Sequence, residues 1–436
     1  MADLTRSLTR VNATAMVAGT IIGASIFVQP SEIARHLDTP GTIMLAWAAC
    51  GVLTLFGALI CAELVSAFPQ PGGVYVFLRE AFSPLAGFLW GWAMFWSVHS
   101  GIIAAIAVVF ARYAVVLLPG AAQGDAGVRL IAVAVILALS AINYVGVRAG
   151  SRVQTALTIV KVVAIMALVV AGFAAGGRPA EPPVVTAGAG LTPFVLAMVA
   201  GLFAFGGWHM VTYTAGETTM PAKTIPVALV LGVAIVTVCY VALNLVYLRL
   251  LPLDAVRAST RIAADAADVM FGRGGAQLLS VLVLLSAVGS LTGIILTGPR
   301  MYYSMAQDGL APRALSYVHP RFQTPSHAII AQALWASALA GTGAYRQLFT
   351  RVVYTEWLFF ALMAVGLFVL RRRPDYQPPY RTWGYPAVPI VFIGISLFIV
   401  LHQFIADPAE AAFGMGFVAI GAPVYYYLRH ANHRLP

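Results

Sequence analysis

Residues 19–27, Gly-Thr-Ile-Ile-Gly-Ala-Ser-Ile-Phe, lie in the middle of the first long apolar segment of the chain, residues 11–34. Two glycines, a threonine and a serine occupy what would be the midplane of a bilayer. A glycine inside a helix costs about 1 kcal/mol relative to alanine, and non-helical backbone at that depth is tolerated only where it is buried in protein or lines a cavity. The pattern indicates either a helix break whose free peptide groups hold a polar ligand, or a face of small residues on which membrane helices pack closely.

The composition is that of a polytopic membrane protein. Of the 436 residues, 60% are hydrophobic and 10% are charged, and the mean hydropathy is +0.87. Because a transmembrane helix needs about 20 apolar residues, the sequence predicts an all-α fold of twelve transmembrane helices in one domain, residues 1–436. The twelve apolar segments are centred near Gly23, Leu53, Met94, Leu137, Ile165, Phe203, Val236, Leu284, Leu334, Leu362, Phe392 and Val418.

The positive net charge indicates loops that face a membrane surface, and it does not indicate nucleic-acid binding. A net charge of +10 is explained by cytoplasmic loops that face anionic lipid. With twelve spans, the majority of the Lys and Arg residues fall on the side of the N-terminus, which predicts both termini in the cytoplasm of a plasma (inner) membrane protein. Cys50, Cys61 and Cys239 lie inside apolar segments and are interpreted as packing residues, not as disulfides or metal ligands.

Lys161 stands about nine residues into the fifth apolar segment, which places it some 13 Å inside the membrane at about 1.5 Å per residue. A lysine near the midplane costs about 3 kcal/mol on insertion scales. We therefore expect Lys161 to face the protein interior and to have partners there. The alternative is that its long side chain extends back to the membrane surface.

A second glycine-rich interruption falls in the sixth apolar segment, at residues 201–209, Gly-Leu-Phe-Ala-Phe-Gly-Gly-Trp-His. If segments 1–5 and 6–10 form two halves, at about residues 11–176 and 190–373, then Gly23 and Gly206 fall at corresponding places. Matched interruptions of this kind indicate an inverted-repeat transporter whose binding site lies between two broken helices. The last two segments, about residues 386–428, are then peripheral.

Other polar residues add few candidates. Ser286 and Ser290 belong to a small polar face of the eighth segment, where they could serve packing or binding. His209, just after the second interruption, is either a structural hydrogen-bonding residue or a substrate contact. An enzyme would need acids, histidines or metal ligands clustered at membrane depth, and the sequence shows no such cluster. We expect no catalysis, no cofactor and no metal.

The motifs together resemble the amino acid–polyamine–organocation superfamily, and within it the L-type amino acid transporters and their bacterial exchangers. The resemblance covers nearly the whole chain, through the loop 308–312. It is carried by residues 19–27, by Phe-Pro-Gln-Pro-Gly-Gly-Val-Tyr at 68–75, by Arg152-Val153-Gln154 with Lys161, and by residues 202–208 with Glu217 after them.

The resemblance implies the LeuT-type fold, a 5+5 inverted repeat with helices 1 and 6 unwound and two further helices. It implies that Lys161 links helix 1 to helix 8, through Ser286 or Ser290. It also implies a substrate amino acid between helices 1 and 6. The α-carboxylate would be bound by the amides of Ala24 and Ser25, and the α-ammonium by the carbonyls of Ile21, Phe203, Ala204 and Gly206. Gly19, Gly23 and Gly207 would serve the helix breaks and close packing, while Phe203, His209 and Glu217 are candidates for a gate or for specificity.

The chain departs from the family pattern in two places. Members of the family usually have glycine where this chain has Ser25, so the side chain narrows the carboxylate site or adds a hydroxyl donor. The loop at 119–127 lacks the cysteine with which animal members join a partner subunit. We therefore expect no disulfide-linked heavy chain.

The sequence thus predicts a sodium-independent secondary transporter of L-amino acids that works by alternating access, as an exchanger or a proton-coupled carrier. Because no carboxylate is apparent in the site region, small or neutral amino acids are the expected substrates. The alternative within the same superfamily is an antiporter of polyamines, organic amines or cationic amino acids.

Overall fold

The computed structural model describes residues 4–117, 124–176, 190–259, 261–272, 275–343 and 352–433, and the secondary structure in these ranges is helical. Residues 119–123 of the loop discussed above lie outside them. The α-helices are α1 (Arg10–Ile21), α2 (Gln29–His36), α3 (Pro40–Ala67), α4 (Val74–Ala81), α5 (Pro84–Ala93), α6 (His99–Leu117), α7 (Asp125–Val145), α8 (Val147–Ala174), α9 (Leu191–Ala204), α10 (Pro221–Leu250), α11 (Leu253–Ala258), α12 (Ile262–Phe271), α13 (Gly275–Gln307), α14 (Ser326–Thr342), α15 (Thr355–Arg371), α16 (Ala387–Ala406) and α17 (Pro408–His433).

Nine helical stretches within the described residues are long and apolar enough to cross a membrane. One of them joins α5 and α6 through a π-helical turn at Met94–Val98. The other three predicted spans are the interrupted first segment and the helices α14 and α15, each of which has 17 residues. The chain is therefore a helical membrane protein, and the count of twelve crossings stays a prediction.

Local sequence signals explain where several helices begin. Ser83 and Thr39 each accept a hydrogen bond from the backbone N–H three residues further on, at the start of α5 and α3. Each is followed by a proline at the first helical position, where a missing N–H costs nothing. Gly146 separates α7 from α8 at φ +153°, a backbone conformation that side chains disfavour.

Helix α1 lies at the centre of the bundle and packs against α8, α10 and α13. Its small residues permit close approach. A Cβ at Gly19 would lie 2.1 Å from Thr158 Oγ1 of α8, and one at Gly232 of α10 would lie 2.5 Å from Val17 Cβ. Gly19 thus has the packing role that small residues have in membrane bundles.

The first described residues and the end of α17 lie at the same end of the bundle as the segment between α13 and α14. Leu8 pairs with Thr218 through backbone hydrogen bonds, and Thr5 is hydrogen-bonded to Gln323. Near the other end of the chain, Arg429 shares a surface pocket with residues that include Asp308. We call this end of the bundle the termini face and the other end the opposite face.

Candidate functional site

The first glycine-rich stretch interrupts its helix, as the sequence predicted. Helix α1 ends at Ile21, Gly23 is extended (φ −113°, ψ −164°), and the chain resumes as a 3₁₀ turn at Ala24–Phe27. The amides of Gly23, Ala24 and Ser25 precede the first hydrogen bond of that turn and have no acceptor within it. Three N–H groups at a helical N-terminus, with its positive dipole end, make a suitable seat for a carboxylate.

The second glycine-rich stretch interrupts its helix as well. Helix α9 ends at Ala204, and a 3₁₀ segment, Trp208–Glu217, follows Gly207. Gly207 has φ +96°, in the left-handed region where glycine is favoured. The two interruptions touch, because Thr20 Oγ1 lies 3.3 Å from the Gly207 carbonyl oxygen. Free backbone groups of two helices are thereby brought to one place.

A tyrosine that the sequence analysis did not single out bridges the two interruptions. Tyr240 of α10 is fully buried, and its hydroxyl lies 3.0 Å from the Ile21 carbonyl oxygen and 3.2 Å from that of Ala204. A hydroxyl has one proton to donate, so at any moment one of the two carbonyls is left without it. The Phe203 carbonyl accepts from the amide of Gly206 at 3.3 Å.

Lys161 reaches the end of α1 from α8, fully buried. Its ammonium donates to the carbonyls of Gly19 at 2.9 Å and Ile22 at 2.6 Å, and to that of Ser286 on α13 at 3.3 Å. A positive charge at a helix C-terminus is favourable. The Ser290 hydroxyl lies 3.2 and 3.0 Å from the same Gly19 and Ile22 oxygens.

Two details of this junction were not predictable from residue types. Ser286 takes part through its carbonyl, and its buried hydroxyl has no hydrogen-bond partner. Gly289 makes room for the lysine, because a Cβ there would lie 2.7 Å from Lys161 Cε and 2.8 Å from Nζ.

A cavity of about 340 Å³ lies against both interruptions. Its wall includes the predicted site residues Ile21, Gly23, Ala24, Ser25, Phe203, Ala204, Gly206, Gly207 and Ser290, together with residues of α6, α13 and α15. Phe203 lines it with 50% of its surface exposed.

One acidic residue lines the cavity, which contradicts the expectation of a site without a carboxylate. Glu356 belongs to the first turn of α15, and Val353, Trp357 and Phe360 line the wall with it. Glu356 lies near one end of the apolar segment centred at Leu362, and this position in the sequence does not by itself indicate that it lines a cavity. The expectation failed because the end of a short helix projects its first turn into the cavity.

His209 and Glu217 do not line the cavity. His209 is buried behind Trp208 and Phe360, with ring centroids 5.5 and 5.0 Å away. Neither ring nitrogen has a hydrogen bond, and Nε2 lies 3.8 Å from a carboxylate oxygen of Glu356. Glu217 is fully buried in a two-pronged ion pair with Arg300, at 2.6 and 3.0 Å.

Ion-pair and backbone contacts close the path between the cavity and the termini face. The Glu217–Arg300 pair and the pairing of Leu8 with Thr218 tie α13 and the N-terminal segment to the end of the second interrupted helix. Nearby, Tyr75 of α4 donates to Asp308 at 2.6 Å, and burial together with that carboxylate raises the pKa of the tyrosine hydroxyl. The cavity reaches towards the opposite face instead, along Gln29, Tyr113 and Val353.

No group of three or more His, Cys, Asp or Glu residues that could hold a metal occurs in the described part of the chain. A helical membrane bundle with two interrupted helices on one central cavity has the architecture of a secondary transporter. Sequence comparison gives the family. Residues 8–425 match the model of the amino acid permease family, and the chain belongs to that family.

Several relatives are characterised. The chain is 30% identical to the b(0,+)-type amino acid transporter 1 of Mus musculus, over 95% of this chain and 85% of that protein. It is 30% identical to the human cystine/glutamate transporter, over 97% and 85% of the two chains. It is 31% identical to the serine/threonine exchanger SteT of Bacillus subtilis (strain 168), over 95% and 94%.

Proposed function

We propose that the protein is a sodium-independent exchanger of L-amino acids in the plasma membrane, working by alternating access, with both termini in the cytoplasm. One observation carries the proposal: two interrupted helices meet at one cavity, with free amides after the first interruption and carbonyls at the ends of both α1 and α9. The relatives support it, since one of them is named as a serine/threonine exchanger.

The backbone of the substrate would bind between the two interruptions. Its carboxylate would accept hydrogen bonds from the amides of Ala24 and Ser25, and its ammonium would donate to the carbonyls of Ile21, Phe203, Ala204 and Gly206. The Ile21 and Ala204 carbonyls share the single proton of Tyr240, so acceptor capacity remains for an ammonium. The Ser25 hydroxyl, on the cavity wall, would limit the space beside the carboxylate.

The hydrogen bonds of Lys161 support exchange rather than proton coupling. An ammonium has three N–H donors, and three carbonyl oxygens receive them. A fully bonded ammonium serves as a fixed link between α1, α8 and α13, and it supplies at the helix end the positive charge that a sodium ion would otherwise supply. With its three N–H groups bonded in this way, Lys161 would stay charged and would not carry a transported proton.

The arrangement also suggests how access alternates. Phe203 would close over the substrate from the opposite face, where its ring is now half exposed. The Glu217–Arg300 pair would have to part, or move with its helices, before the termini face opens. We regard the LeuT-type 5+5 repeat as the framework for this movement.

The protein is proposed to work without a disulfide-linked partner. Its three cysteines, Cys50, Cys61 and Cys239, are all buried and unpaired, and burial in the bundle keeps them from an intermolecular disulfide. Amino acid substrate and lipid are the partners that the proposal requires.

Reconstitution into liposomes tests the proposal. Uptake of labelled L-amino acids is measured with and without internal amino acid, and with and without sodium and pH gradients. We expect uptake that requires internal amino acid and is unaffected by sodium. Uptake driven by a pH gradient into empty liposomes would replace exchange by proton coupling, and no uptake of any amino acid would remove the proposal.

A further inference from the structure

Glu356 is the one acidic side chain on the cavity wall among the described residues. Its side chain is 12% exposed, so the carboxylate is largely withdrawn from solvent. A carboxyl group in such a setting is either protonated or, when ionised, stabilised by a positive partner, because an unpaired buried charge is costly. The partner of the ionised form can come from the protein or from a bound substrate.

The described residues of the protein provide no close positive partner for the Glu356 carboxylate. The nearest basic side chain in the described residues is His209, whose Nε2 lies 3.8 Å from the carboxylate, beyond hydrogen-bonding distance. Neither nitrogen of the His209 ring is hydrogen-bonded. An established ion pair in this protein is much closer, as the Glu217–Arg300 bonds of 2.6 and 3.0 Å show. The Glu356 carboxylate therefore lies on the cavity wall without a close positive partner among the described residues.

The distance along α15 between Glu356 and the level of the second interruption matches the length of a long substrate side chain. Phe360 of the same helix contacts Trp208, at the second interruption, with ring centroids 5.2 Å apart. Glu356 lies on the same side of this helix as Phe360 but four residues earlier. This places it about 6 Å nearer the opposite face. An extended lysine side chain spans about 6 Å from Cα to Nζ, given bonds of about 1.5 Å.

The surroundings also suit a cationic group. Trp357, Phe360 and Trp208 line the cavity beside the carboxylate. Aromatic rings attract ammonium and guanidinium groups through their π faces, and they cover the methylene groups of such side chains at the same time. An acid among aromatic rings is a combination that recognises an organic cation.

We propose that Glu356 is a specificity residue that binds the positively charged end of a substrate side chain, so that the transported amino acids include cationic ones such as lysine and arginine. This rests on the proposed function, because the backbone of the substrate is placed between the two interruptions. It reverses the preference for neutral substrates that the sequence suggested.

The test uses the full-length protein in liposomes, loaded with unlabelled amino acid. Uptake of labelled L-lysine and L-arginine is compared with uptake of L-serine and L-leucine. The variants are Glu356→Gln, which keeps the shape and removes the charge, and Asp254→Asn, the same acid-to-amide change at a side chain that is 94% exposed. Cadaverine, which lacks a carboxylate, is added as a competitor.

We expect the unmodified protein to take up cationic amino acids. Glu356→Gln should raise the KM for them about tenfold or more, since a hydrogen bond to a charged group contributes about 1.5–3 kcal/mol, and should leave the uptake of neutral amino acids within about twofold. Cadaverine should compete more weakly than lysine, and Asp254→Asn should change nothing.

Uptake of neutral amino acids without any cationic ones would overturn the inference and leave the proposed function standing. Uptake of no amino acid would overturn both. An equal loss for both substrate classes in Glu356→Gln would also overturn it, provided that the variant elutes as a single folded species. If that variant does not fold, Glu356→Asp replaces it, and retained preference for lysine over serine is then the expected result.

Discussion

The link between Lys161 and the end of α1 can be tested by adding one methyl group. In Gly289→Ala, the new Cβ would lie 2.7 Å from Lys161 Cε and 2.8 Å from Nζ, so the lysine end must move by close to 1 Å to reach ordinary contact distance. The ammonium now sits 2.6 and 2.9 Å from two carbonyls, and such a shift weakens both bonds.

The expected free-energy change follows from known magnitudes. Overpacking a core costs about 1–3 kcal/mol, and weakening hydrogen bonds to a charged group adds about 1.5–3 kcal/mol for each bond that is lost. Replacing glycine by alanine in a helix returns about 1 kcal/mol. With one bond lost, we expect Gly289→Ala to be destabilised by about 1.5–5 kcal/mol and to transport about tenfold more slowly.

Gly394→Ala is the matched control, since Gly394 lies inside α16 and a Cβ there meets nothing within 4 Å. Thermal unfolding in detergent, followed by tryptophan fluorescence, measures stability. Initial exchange rates in liposomes with equal protein content measure function. If Gly289→Ala and Gly394→Ala have the same unfolding temperature and the same exchange rate, the assigned role of the lysine junction is wrong.

Three further predictions concern the surroundings of the cavity. Lys161→Met, which keeps an unbranched side chain one heavy atom shorter and removes the charge, should slow exchange at least about tenfold, since the carbonyls at the end of α1 lose their charged donor; exchange at the normal rate would contradict this. Tyr240→Phe should lower stability by about 1 kcal/mol, whereas Tyr247→Phe, in the same helix, removes a hydroxyl without a hydrogen-bond partner and should not. Arg300→Gln should destabilise by about 3–5 kcal/mol because it leaves Glu217 buried and unpaired, and the double variant with Glu217→Gln should recover folded protein in detergent.

The interruptions of the two helices were predictable because their signal is local. Glycines within an apolar segment weaken the helix wherever the rest of the chain lies, and Gly23, Gly206 and Gly207 fall at or beside the two points where the backbone departs from a helix. The interior position of Lys161 followed from a cost that holds for any membrane protein.

The residues that the sequence missed act through tertiary contacts. Tyr240 is one of 17 tyrosines, and only the crossing of α10 over both interruptions places its hydroxyl between two carbonyls. Glu356 lies near one end of its apolar segment, a position that by itself is typical of the membrane surface. Whether a first-turn residue faces lipid, water or a cavity depends on neighbouring helices, and no local pattern records that.

We expect an amino acid to bind between the two interrupted helices. An experimental structure of the protein with a transported amino acid bound tests this most directly. The carboxylate should lie within about 3 Å of the amides of Ala24 and Ser25, and the ammonium at the carbonyls of Ile21 and Ala204. A bound amino acid elsewhere in the cavity, with those amides and carbonyls left free, would contradict it.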